Sequence, residues 1–292
     1  MGLRQVALDD KYTLLNGRIF VTGIQALVRL PMLQKLRDQR AGLNTAGYIS
    51  GYRGSPLGAL DQQLVKASHF LAEHDIVFQP GLNEELAATA CSGTQQINLQ
   101  GEGAYDGVFC MWYGKGPGVD RSGDAFRHAN NFGTAEHGGM IALLGDDHAC
   151  ESSTTAHQSE FAMVDAMIPV LNPAGVQDIL DYGLYGIAMS RYTGGVVGLK
   201  CVHDSVEATA SIEISDDRTS VVIPDDFDMP QGGLNIRRPD TFLDQENRVH
   251  HYKLEAAKAF VRSNQLDQCV INPPDAWLGI ATTGKSYLDV RQ

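Results

Sequence analysis

Along residues 1–212, short apolar runs alternate with longer stretches in which apolar residues recur every three or four positions. Runs at 18–21, 44–49, 75–78, 105–113, 139–144, 166–171 and 195–202 have the length and composition of strands. The 139–144 run has no polar side chain, as a strand covered on both faces requires. Between them, 23–39 places Ile24, Leu27, Val28, Leu33 and Leu36 on one helical face, with Pro31 expected to kink or divide it. Further helices are predicted over 59–73, from Glu84 onward, near 124–131 and over 175–191. Strands and helices in this rhythm predict an α/β fold, a doubly wound parallel sheet with helices on both faces. The polar, glycine-rich stretches 51–58, 114–121 and 145–155 each follow a predicted strand. They are therefore expected to converge at one edge of the sheet, where such folds bind ligands. Ser152, Ser153, Thr154 and Thr155 are available to cap the helix that follows.

The pattern changes at 213–249, where acidic residues and prolines crowd together, and this stretch is read as a linker with one strand at 220–223. A helix at 249–262 and a strand at 276–282 are read as the opening of a second α/β unit, 250–292, that is incomplete here. The chain is accordingly expected to be a fragment of a longer polypeptide.

Composition narrows the classes of function. With 43% hydrophobic and 20% charged residues the chain has the make-up of an ordinary globular protein. A net charge of -12 argues against nucleic acid and against anionic membrane surfaces as partners. No apolar run is long enough to span a bilayer, and the first residues lack a signal-peptide core, so a cytoplasmic location is the default expectation. Cys91, Cys110, Cys150, Cys201 and Cys269 are scattered, without the paired spacing of a zinc or iron-sulfur framework.

Candidate chemistry begins at Gly81-Leu82-Asn83-Glu84-Glu85, where a carboxylate opens a helix rich in small residues, with Gly93 nine positions after Glu84. The Ala87/Ala90/Cys91 side would admit a flat ring or another backbone. A first-turn glutamate is also favoured by the helix dipole alone. Within 51–58, Arg53 sits between glycines, and Pro56 holds Ser55 extended. A fixed hydroxyl beside a guanidinium suits an anionic oxo acid, and a plain surface charge is the alternative reading of Arg53. Lys115 lies in Gly114-Lys115-Gly116-Pro117-Gly118, which is not a phosphate-binding P-loop, and no dinucleotide glycine fingerprint occurs. His148 and His157 are too far apart for a helical ligand pair, and no nucleophile elbow accompanies Ser152 or Ser153.

Taken together, three stretches resemble the indolepyruvate ferredoxin oxidoreductases, within the 2-oxoacid:ferredoxin oxidoreductases. They are Ala46-Gly47-Tyr48-Ile49-Ser50-Gly51-Tyr52-Arg53-Gly54-Ser55-Pro56-Leu57-Gly58, Phe78-Gln79-Pro80-Gly81-Leu82-Asn83-Glu84 and Met111-Trp112-Tyr113-Gly114-Lys115-Gly116-Pro117-Gly118-Val119-Asp120-Arg121. Gly145-Asp146-Asp147-His148, Ser152-Ser153 and His157-Gln158-Ser159-Glu160 complete the set. The resemblance covers essentially the whole chain and is closest to the long, fused bacterial form.

It implies that residues 1–212 form a thiamine-diphosphate pyrimidine-binding domain, and that 250–292 start a transketolase C-terminal-like domain. It places Glu84 on the catalytic glutamate that hydrogen-bonds the pyrimidine ring. Ser55, Pro56, Glu84, Gly114 and Lys115 would face the cofactor, and Ser55, Asp147 and Ser152 the substrate. Arg53 stands where the superfamily is not basic throughout, so its place at the substrate is inferred from its residue type and not from the resemblance. No metal ligand is assigned in this chain. The magnesium-diphosphate half-site and the [4Fe-4S] clusters would lie in further domains. The implied reaction oxidatively decarboxylates an arylpyruvate to acyl-CoA and passes electrons to ferredoxin. Partners would be the 2-oxo acid, coenzyme A, ferredoxin, the remaining domains and a second copy in a homodimer. A non-oxidative thiamine-dependent decarboxylase and a non-catalytic remnant of the same fold stay open as alternatives.

Overall fold

The strands are β1 (Gly17–Thr22), β2 (Thr45–Gly51), β3 (Ile76–Phe78), β4 (Gly107–Lys115), β5 (Met140–Asp146), β6 (Val170–Leu171), β7 (Val196–Val202) and β8 (Thr209–Ile214) in a computed structural model that describes residues 6–152, 155–215 and 217–292. Six of them make one parallel sheet in the order β3-β2-β4-β5-β7-β6. The chain leaves β2 toward β3 on one side and leaves β4 toward β5 on the other. The crevice between the ends of β2 and β4 is thus a topological switch point, where doubly wound sheets bind ligands.

Alternation along β4 divides the core into two layers. Phe109, Met111 and Tyr113 join the cluster beneath the helices Gly23–Arg40 and Val176–Thr193. Cys110 and Trp112 join the opposite one, with Ala87, Ala88 and Cys91 of helix Glu84–Thr94, Val119, Phe126 and Met163. Every residue of β5 is buried, its apolar run covered on both faces and Asp146 closing the strand.

Several expectations are corrected. Pro31 neither ends nor divides the helix, which runs unbroken from Gly23 to Arg40. A capping box between Thr22 and Gln25 fixes its start, and burial of the flanking turns offsets the lost backbone bond. The stretch 114–121 is no loop. Residues Gly114 and Lys115 finish β4, and helix Gly116–Arg121 follows at once with Pro117 in its first turn, where a missing N–H costs nothing. The 166–171 strand shrinks to Val170–Leu171, because Met167 takes a positive φ and the carbonyls of Ala166 and Met167 accept hydrogen bonds from Asn130 instead. β8 was not anticipated. It pairs antiparallel with β1 from Gly17↔Ile214 to Thr22↔Thr209, so β1 stands outside the parallel sheet.

The stretch read as a linker lies against this sheet domain. Leu234 is buried, and the Asn235 amide donates to the Thr134 and Arg191 carbonyls. Beyond it, Phe242–Arg248, a π-helical turn Val249–Lys253 and helix Leu254–Ser263 follow, burying Lys253, Ala256, Ala257 and Phe260 on the same body. Residues 220–223 and 276–282 have no strand partner among the described residues, and a last helix spans Lys285–Arg291. Met1–Gln5, the caps expected of Ser153 and Thr154, and Asp216 of the acidic stretch fall outside the described residues. Among those described, no helix is long and apolar enough to cross a membrane.

Candidate active site

Glu84 is set at the switch point by backbone contacts. Asn83 caps its helix, the side-chain oxygen accepting from Leu86 N at 2.9 Å. Gly81 N donates to Gly51 O at 2.8 Å, tying the helix entry to the end of β2, and Trp112 Nε1 donates to the Glu84 carbonyl at 2.9 Å. The Glu84 side chain lies directly against Gly118. A methyl group on that glycine would fall 2.5 Å from Cγ and 2.9 Å from Oε1, so only glycine leaves room for the carboxylate here. Among the described residues the Glu84 carboxylate has no hydrogen-bond or ion-pair partner, and it is half-buried. Glu85 next to it is exposed and pairs with Arg121 at 3.9 Å. The two adjacent glutamates are therefore distinct: one is committed to a surface pair, and the other is available to a ligand.

Of the two uses expected for the small-residue face of this helix, close approach of another backbone is the one found. Ala87, Ala88 and Cys91 pack on the chain's own Cys110 and Trp112, while Ala90 is exposed. Small side chains there let helix and sheet approach closely.

Beside Glu84, three of the expected loops meet through one buried cation. Lys115 Nζ is paired with the Asp147 carboxylate and donates to Ser152 Oγ at 2.9 Å. Ser152 Oγ also accepts from Ser55 N at 3.3 Å, and Ser152 N donates to Asp147 at 3.2 Å. Gly54 rests on the Lys115 stem, where an added methyl would sit 3.1 Å from Cβ. Burial pushes the Asp147 carboxyl up, but hydrogen bonds from Lys115 and from the Glu151 and Ser152 amides hold it below the usual carboxylate range. Lys115, Asp147, Ser152 and Ser55 thus form one assembly whose charges are already satisfied.

The other expected residues are placed less directly. The Ser55–Pro56 peptide is cis, and Pro56 is buried while Ser55 is half-exposed. Gly114 is buried against its own neighbour: a methyl there would fall 2.6 Å from the Trp112 ring. Arg53 is exposed at the mouth of the crevice, close enough to oppose the upward shift of the Tyr113 phenol, which burial and then Asp61 drive above its ordinary value.

Sequence reading missed a second charged cluster at this edge. Lys200 at the end of β7 pairs with Glu160 and stands 3.5 Å from Asp146, which is fully buried and accepts from Ser159 N at 3.0 Å. Burial raises the Asp146 carboxyl against the pull of Ser159 and Lys200. A lysine inside the apolar run Val196–Val202 was the available signal.

The fold is an α/β domain similar to one found in a 2-oxoacid:ferredoxin oxidoreductase. The 2-oxoglutarate:ferredoxin oxidoreductase of Magnetococcus marinus, solved with 2-oxoglutarate, coenzyme A and succinyl-CoA bound, superposes with a TM-score of 0.54 over 85% of this chain and 46% of that one, at 13% identity. In sequence, the chain is 24% identical over 287 residues to indolepyruvate oxidoreductase subunit IorA of Methanothermobacter marburgensis, covering 96% of this chain and 41% of the relative. The corresponding subunit of Pyrococcus abyssi is 22% identical over 283 residues, covering 94% of this chain and 39% of the relative. These relatives bear out the resemblance drawn from the motifs. The chain spans about two fifths of the length of the curated relatives it matches. No protein-family model matches it.

Proposed function

We propose that this chain is the N-terminal portion of a thiamine-diphosphate-dependent indolepyruvate ferredoxin oxidoreductase, with residues 1–212 binding the aminopyrimidine ring. The observation that carries the reading is the unpartnered, half-buried Glu84 carboxylate held against Gly118 at the switch point. A helix-opening carboxylate with both oxygens uncommitted suits a protonated ring nitrogen, and Gly118 leaves the room that the carboxylate occupies. Thiamine diphosphate, when bound, supplies the carbanion chemistry that decarboxylates a 2-oxo acid. In this reading Glu84 holds and moves the proton at the pyrimidine ring, and the Lys115–Asp147–Ser152 assembly keeps the Ser55 loop in position. Arg53 at the mouth pairs with the substrate carboxylate. Coenzyme A, ferredoxin, the diphosphate-binding magnesium and the [4Fe-4S] clusters would be served by the other domains or subunits of the complete enzyme, since the relatives are themselves named as subunits.

The test is reduction of a viologen dye by the complete enzyme with indolepyruvate, thiamine diphosphate, magnesium and coenzyme A. Glu84→Gln should lower the rate by about a hundredfold or more, the usual contribution of a positioned proton-transfer group. A normal rate in that variant would remove Glu84 from the mechanism. Aldehyde release without any electron acceptor would move the assignment to a simple decarboxylase.

A further inference from the structure

Outside this assembly, Glu151, His203 and Glu207 each bring one donor atom to a common point, all within 4.8 Å of one another. His203 Nε2 lies 3.0 Å from Glu207 Oε2 and 3.5 Å from Glu151 Oε1. Donors bound at about 2.0–2.1 Å around a tetrahedral ion stand roughly 3.3–3.4 Å apart, so the two separations from His203 need little adjustment, and the glutamates can close on each other by side-chain rotation. Neither glutamate has a lysine or arginine partner among the described residues. The two carboxylates thus meet at one imidazole edge, and a cation there would be attracted by both. All three side chains are partly exposed, so an ion can enter from solvent.

We propose that Glu151, His203 and Glu207 form a binding site for a divalent transition metal of the zinc class. One imidazole with two carboxylates favours such an ion over magnesium or calcium, which take oxygen donors alone. Three protein ligands leave the fourth position to water. The donors come from two segments: Glu151 from the loop after β5, and His203 with Glu207 from the turn His203–Val206 and its cap after the adjacent strand β7. A bound ion therefore staples that loop to the end of β7. Ser152, the next residue along, carries the contacts to Lys115, Asp147 and Ser55. The metal acts as a clasp on the loop that completes the candidate active site. It is not a reacting centre, and the proposal stands whether or not the thiamine reading does.

The experiment titrates the chain with Co²⁺, reading its visible absorption, and with Zn²⁺ in competition. The expected result is one equivalent bound with micromolar affinity. His203→Ala and Glu207→Gln should each weaken binding by about a hundredfold, since losing a ligand exceeds the ten- to hundred-fold cost of outer-shell changes. His250→Ala, at an exposed histidine elsewhere, should bind as the parent does. Far-UV circular dichroism confirms that the variants fold, as substitutions of partly exposed side chains allow. Absence of binding by the parent, or equal binding by parent and His203→Ala, would show an ordinary His–carboxylate pairing and overturn the site. Unchanged protease cleavage within 147–155 on adding Zn²⁺ would overturn the clasp.

Discussion

The two ends of the parallel sheet use the same charged residue types to different effect. At the N-terminal end the flanking helices finish, and their carbonyl ends are closed by cations. Lys253 Nζ donates to Asn130 O at 2.5 Å and Gly194 O at 2.8 Å, at the ends of helices Gly123–Phe132 and Val176–Thr193. Arg191 clamps Asp38 through two bonds of 2.7 and 2.8 Å, and Asp38 also accepts from Gln34 and from Thr45 Oγ1 at 2.6 Å. Gln95 closes the same end, accepting from Ala135 N and Gly139 N and donating to Val108 O. At the C-terminal end the helices begin, and their amide ends face acids: Glu84, Asp146 on Ser159 N, and Asp147 beside them. There the cation Lys115 reaches a loop and Lys200 a helix start, and the Glu84 carboxylate is left without a partner among the described residues. The direction of the backbone dipoles sorts the charges between the ends. The first end ties its charges to one another, and the second leaves Glu84 for a ligand to bind.

Three measurements would break or sharpen that contrast. The largest effect belongs to Asp38→Ala, which strands the Arg191 guanidinium among buried elements and should lower unfolding stability by about 3–5 kcal/mol, read as a shift in urea midpoint. Lys115→Met should cost less, about 2 kcal/mol, because Asp147 keeps the hydrogen bonds from the Glu151 and Ser152 amides after the ammonium is lost. If the two variants lose equal stability, the distinction between a closed structural end and a yielding functional end fails. The smallest effect is a pH dependence. Burial lowers the Lys253 ammonium from its ordinary value to about 7. The unfolded chain then holds that proton more tightly, so stability should rise with pH between about 7 and 10. The two accepting carbonyls favour the charged form and limit the rise to roughly 1–2 kcal/mol. Lys253→Met should flatten it, and an equal slope in that variant would assign the dependence to other groups.

Much of this architecture was legible beforehand for a simple reason. A strand covered on both faces is apolar along its length, and a helix on a sheet must repeat its apolar face, so the run 139–144 and Val176–Thr193 announce themselves. The convergence of the 51–58, 114–121 and 145–155 stretches also followed, because in a parallel sheet every strand ends at the same edge. The local propensity of Pro31 misled, because packing on both flanks outweighs one missing hydrogen bond.

The chain's own order of residues determined the alternating strands and helices, the edge at which polar loops gather, and the glutamate that opens the small-residue helix. These are properties of neighbours in sequence, set by periodicity and by caps a few residues long. Tertiary structure alone decided that Glu84 touches Gly118, that Lys115 is spent on Asp147 and Ser152, that β1 pairs with β8, and that Glu151 meets His203 and Glu207. Those contacts join segments far apart in the chain. Their partners are chosen by which strand ends become adjacent when the sheet closes, and no local pattern carries that information.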